Sequence, residues 1–68
     1  MFWKSTPLNP DNAKRYAEAL TGGKATYVRR YRNIDGFGDM LSVRVRLPSY
    51  DLAWVDCWIE SGCLYGEW

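Results

Sequence analysis

The chain has 68 residues, 47% hydrophobic and 16% aromatic, with a formal net charge of +1 and no histidine. This length predicts one domain over 1–68 with a small core, because a chain of about 60 residues buries only about 60% of the surface its unfolded form exposes. No apolar run approaches the roughly 20 residues that span a bilayer, and the opening Met1-Phe2-Trp3-Lys4 lacks a signal peptide's apolar stretch. The expectation is a complete, Met-initiated cytoplasmic protein with no membrane association.

Residues 1–8 read as an N-terminal segment whose Phe2 and Trp3 either cover an edge of the core or add a short strand. The first defined element is a helix over 9–22. Asn9 suits the N-cap, Pro10 the first helical position, and Asp11 the positive end of the helix dipole. Ala13, Tyr16, Ala17 and Leu20 fall on one stripe, leaving Lys14, Arg15 and Glu18 outside it, with Lys14 and Glu18 spaced to pair. Gly22-Gly23 supplies the left-handed conformation that ends a helix.

Residues 24–68 read as an antiparallel sheet, so the predicted class is α+β: one N-terminal helix packed on a four-stranded antiparallel β-meander. The segment 25–32 is rich in β-branched and aromatic residues, but its alternation is too mixed to say which face Tyr27 and Tyr31 occupy. A hairpin loop with Gly36-Phe37-Gly38 follows. Residues 40–47 place Leu41, Val43, Val45 and Leu47 on one face and Ser42, Arg44 and Arg46 on the other. Residues 52–59 place Ala53, Val55, Cys57 and Ile59 on one face and Leu52, Trp54, Asp56 and Trp58 opposite. A Ser61-Gly62 hairpin then sets Ile59 against Leu64, Trp58 against Tyr65 and Val55 against Trp68, with the last strand running through Trp68. The helix is expected on the face of Leu41, Val43, Val45, Val55 and Ile59.

Charge is segregated along the chain. Residues 1–46 carry all nine Lys and Arg against four acids, whereas residues 47–68 carry Asp51, Asp56, Glu60 and Glu67 and no base. Paired strands of opposite charge, or two separate binding surfaces, would give this pattern.

Several chemistries lack their residues. Without histidine there is no Ser-His-Asp or Cys-His arrangement and no imidazole base or metal ligand. Cys57 and Cys63 form no CxxC pair, and the proposed hairpin puts them on opposite faces, against a mutual disulfide. The Gly36-Phe37-Gly38 loop joins two strands, whereas a phosphate loop leads from a strand into a helix. A non-enzymatic chain with no catalytic residue, metal or cofactor is therefore expected.

Two surfaces could carry binding. Tyr27, Arg29, Arg30, Tyr31 and Arg32 interleave cations with aromatic rings, which suits single-stranded nucleic acid; the alternative is a solvated face of a half-buried sheet. The RNA-recognition-motif signature is absent, and one helix is predicted where that fold has two. On the second surface Arg44, Arg46, Trp54, Asp56, Trp58 and Tyr65 share a face, with Arg46 expected against Trp54 and Arg44 against Asp56. Trp54, Trp58 and Tyr65 are expected in one row, which is docking surface, or is covered by Phe2 and Trp3, or by a second copy.

In size and style alone the chain resembles phage-encoded anti-defence proteins such as anti-CRISPR proteins. That resemblance implies an inhibitor or adaptor that sterically blocks a larger host protein or nucleoprotein complex in the host cytoplasm. The competing readings are a small single-strand nucleic-acid binder using the Arg/Tyr strand, and a homodimer joined through its last strand or its tryptophan row.

Overall fold

The computed structural model of the protein describes residues 2–32 and 38–68. It contains strand β1 (Phe2–Lys4), helix α1 (Pro10–Thr21), and strands β2 (Lys24–Tyr31), β3 (Met40–Arg46), β4 (Leu52–Glu60) and β5 (Cys63–Glu67). The helix begins and ends where its caps predict. The Asn9 side chain accepts from the Asn12 N–H at 2.8 Å, and Gly22, at φ 75, donates its N–H to the Glu18 carbonyl. The Glu18 carboxylate, spaced to meet Lys14, accepts from the Ala25 N–H at 2.9 Å and ties the helix to the start of β2.

The sheet is five-stranded, in the order β1-β5-β4-β3-β2 and antiparallel throughout. The expected four-stranded meander is thereby corrected. Strands β2 to β5 are consecutive neighbours, but β1 joins beyond β5, pairing Phe2 with Tyr65, Trp3 with Leu64 and Lys4 with Cys63. Three residues are too few to show a strand period, so only the pairing reveals β1. The last strand is consequently flanked by β4 on one side and, along Cys63–Tyr65, by β1 on the other. The chain leaves one edge of the sheet at β1, crosses one face as α1, and re-enters at the opposite edge as β2.

Under α1 the core consists of Ala13, Tyr16, Ala17, Leu41, Val43, Val45, Val55, Cys57 and Leu64, with Trp3, Leu8, Leu20, Ala25, Val28 and Leu47 packed against it. Each fully buried aliphatic side chain contributes about 1.5–3 kcal/mol relative to exposure. Ile59 lies on the same face but is 38% exposed, away from the centre of this cluster.

Two local features set which residues face away from the helix. The β2–β3 register shifts between Ala25 and Tyr27, leaving Thr26 as the extra residue of a bulge. Its hydroxyl accepts from Arg44 Nε at 3.0 Å and donates to the Arg44 carbonyl at 3.2 Å. The bulge puts Ala25 and Val28 on the helix side although they are three apart, and sends Tyr27, Arg29 and Tyr31 to the other face. Between β3 and β4 the Leu47 N–H donates to the Asp51 carbonyl and the Tyr50 N–H to the Leu47 carbonyl, both at 2.8 Å. Arg46 and Leu52 flank this closed loop as direct partners. The β4–β5 turn matches its expectation, with Ser61 at φ 52 and Gly62 at φ 75 giving the two left-handed residues of a type I′ hairpin. Ile59 pairs with Leu64 and Trp58 with Tyr65, but β5 stops at Glu67, so Trp68 lies outside the strand and is 60% exposed.

Candidate functional site: the open face of the sheet

The helix covers one face of the sheet, and on the other the pairing lines side chains up in cross-strand rows. One row runs Phe2, Tyr65, Trp58, Met40, Tyr31 across all five strands. On one side of it the rows are Glu67, Asp56, Ser42 and Arg29, then Trp54, Arg44 and Tyr27, then Leu52, Arg46 and Lys24; on the other side stand Lys4, Cys63 and Glu60. Tyr65 is flanked by Trp58, stacked at 6.2 Å, and by Phe2 at 5.7 Å. Phe2 is 50% exposed, Tyr27 48% and Trp54 43%, a concentration of accessible aromatic surface that solubility alone disfavours.

The expected partners on this face are corrected by the register. Arg44, not Arg46, stands opposite Trp54, and Asp56 stands opposite Ser42. The expected pairing is two residues out of phase, which preserves the face and changes every neighbour. Asp56 accepts from the Ser42 hydroxyl, and Ser42 is buried among its larger neighbours. The cation-π contacts are likewise redistributed. The Arg44 guanidinium lies 5.7 Å from the Tyr27 ring, while that of Arg29 lies 5.9 Å from Tyr31 and 6.0 Å from Trp54. Tyr27 meets Trp54 edge-on at 6.2 Å, so these residues form one interlocked patch. Trp54 belongs to a different row from Trp58 and Tyr65, contrary to the single row expected.

The two binding surfaces read separately from the sequence are therefore largely one. Tyr27, Arg29 and Tyr31 share the open face with Arg44, Arg46, Trp54, Asp56, Trp58 and Tyr65. Arg30 points to the helix side, 3.7 Å from the Asp39 carboxylate in an exposed ion pair, and Arg32 lies beyond the end of β2. The loop residues Gly36 and Phe37 lie outside the described residues. Phe2, Met40 and Glu67 join the face although the sequence reading did not place them among its binding residues. Parity with Ser42 was the available signal for Met40; for Phe2 it was the short-strand alternative for the N-terminal segment, which β1 realises.

Phe2 extends the aromatic row and leaves it uncovered, while Trp3 turns to the core and packs edge-on to Tyr16 at 5.1 Å. Cys57 is buried under the helix and Cys63 sits on the open face, both as free thiols. Among the described residues no group of three or more His, Cys, Asp or Glu is placed to hold a metal ion, and no helix is long and apolar enough to cross a membrane. No protein-family model matches the chain, nor does any curated protein or solved structure.

Proposed function

We propose that the protein is a non-enzymatic binding module that docks another protein chain on its open sheet face and acts by occupying that chain's surface, as an inhibitor or adaptor does. The observation that carries this reading is the uncovered array of Phe2, Tyr65, Trp58, Tyr31, Trp54 and Tyr27 interleaved with Arg29 and Arg44. Aromatic and arginine clusters of this kind are the composition of protein-protein hot spots. Single-stranded nucleic acid fits the same face less well. The guanidinium groups of Arg29 and Arg44 already lie near the rings on which bases would stack, and Asp56 and Glu67 would repel phosphates.

The test is affinity capture from a lysate of the source cell with nuclease present, comparing the wild-type chain with Trp54→Ala and Trp58→Ala variants of unchanged helix and sheet content. A stoichiometric protein partner that both variants lose, by about tenfold or more, is the expected result. An unchanged partner on the folded variants overturns the reading. Recovery of nucleic acid alone, lost on nuclease treatment, transfers the face to the Arg/Tyr alternative.

A further inference from the structure

Bases and acids on the open face are sorted by strand. Lys24 and Arg29 stand on β2 and Arg44 and Arg46 on β3, whereas Asp56 and Glu60 stand on β4 and Glu67 on β5. The charge segregation seen along the sequence thus becomes a polarity across strands β2 to β5, the β2–β3 half basic and the β4–β5 half acidic, with Lys4 on the short edge strand β1 standing outside it.

Such a face can be complementary to its own image, and the register says how. A two-fold axis parallel to the strands along the β3–β4 boundary lays β3 of one copy over β4 of the other and β2 over β5, without moving any row along the strands. Row by row, Arg29 then meets Glu67, Met40 meets Trp58, Tyr31 meets Tyr65, Arg44 meets Trp54 and Arg46 meets Leu52, while the buried Ser42 stays bonded to Asp56 of its own copy. Arg29–Glu67 is charge-opposed, Met40–Trp58 and Tyr31–Tyr65 set apolar and aromatic surface together, Arg44–Trp54 sets a cation on an aromatic ring, and no pair sets like charges together. The alternative axis, across the strands, lays β2 on β2 and β3 on β3, bringing bases against bases.

We propose that the free protein closes its open face with a second copy of this chain, forming a symmetric face-to-face homodimer about that axis which a docked target displaces; the proposal rests on reading the face as a protein-docking surface. Packed sheets cross at about 30°, which displaces a contact roughly 7 Å from the axis by about 4 Å, within reach of Arg29 and Glu67 side chains. A standard interface takes about 800 Å² from each partner, less than a fifth of the chain's 4540 Å².

The experiment is sedimentation equilibrium across the micromolar to millimolar range on the wild type, Arg29→Glu, Glu67→Arg, and an equimolar mixture of these two variants. Both substituted positions are exposed, so the variants are expected to fold. The wild type should dimerise, each variant alone should dimerise about tenfold or more weakly through like-charge contacts, and the mixture should recover wild-type affinity as a heterodimer. A dimer indifferent to both changes, or single variants that weaken without recovery on mixing, overturns the proposal. A wild type that stays monomeric overturns it too. In that case the docking reading is still decided separately, by whether Trp54→Ala and Trp58→Ala lose a captured protein.

Discussion

The ring of Tyr16 occupies the space that a side chain at position 66 would need: a Cβ built on Gly66 would stand 2.4 Å from Cε1 of Tyr16. Tyr16 is fully buried and held edge-on against Trp3, so it has little room to withdraw. A glycine inside a strand is unfavourable on propensity, and the close approach of the helix explains this one. Gly66→Ala should cost about 2 kcal/mol or more, toward the upper part of the range for overpacked cores. Urea unfolding in the wild-type and Tyr16→Leu backgrounds checks it: the cost should shrink in the second, and equal costs would show that the ring is not the obstacle.

Cys57 gives the fold a sensitivity to alkali. Burial pushes its thiol up to about 12, with the Asp56 carboxylate adding to the shift, whereas an unfolded cysteine titrates near 8.5. The folded pKa is the higher one, so the unfolded state loses its proton first as pH rises. The contribution is intact below about pH 8.5 and is lost between there and about 12, amounting to about 5 kcal/mol in full. Burial raises the Tyr16 phenol as well, adding a loss of the same sign from near pH 10. Stability measured from about pH 7 to 10 should fall, and Cys57→Ala should flatten the slope above about pH 8.5. An unaltered slope in that variant would assign the effect elsewhere.

The register of the open face makes a prediction about pairs. Trp54 should couple to Arg29, whose guanidinium lies 6.0 Å from its ring, by about 0.5 kcal/mol, the usual size for an exposed cation-π contact. It should not couple to Arg46, which stands opposite Leu52. Double-mutant cycles on unfolding free energy separate the two, and coupling to Arg46 in place of Arg29 would contradict the β3–β4 register.

The helix and its caps, the two alternating strands and the Ser61-Gly62 hairpin were legible in the sequence because each depends on neighbours within a few positions. Asn9 reaches only to Asn12, Gly22 to Glu18, and the Trp58–Tyr65 pair follows from a two-residue turn. The face of Tyr27 and Tyr31 was not legible. One extra residue at Thr26 reverses the parity of everything after it, and it is held through Arg44, eighteen positions away.

Local sequence is enough for an α+β chain with a capped amphipathic helix, half-buried strands, and opposite charge in its two halves. The tertiary structure alone decided that Phe2–Lys4 becomes a fifth strand, that Arg44 rather than Arg46 faces Trp54, and that the two candidate surfaces merge into one. The physical reason is the range of the interactions. Caps, turns and alternation are set by local sterics and hydrogen bonding, whereas strand neighbours and register are selected by burying Trp3, Tyr16 and Leu64 together, residues brought from the two ends of the chain.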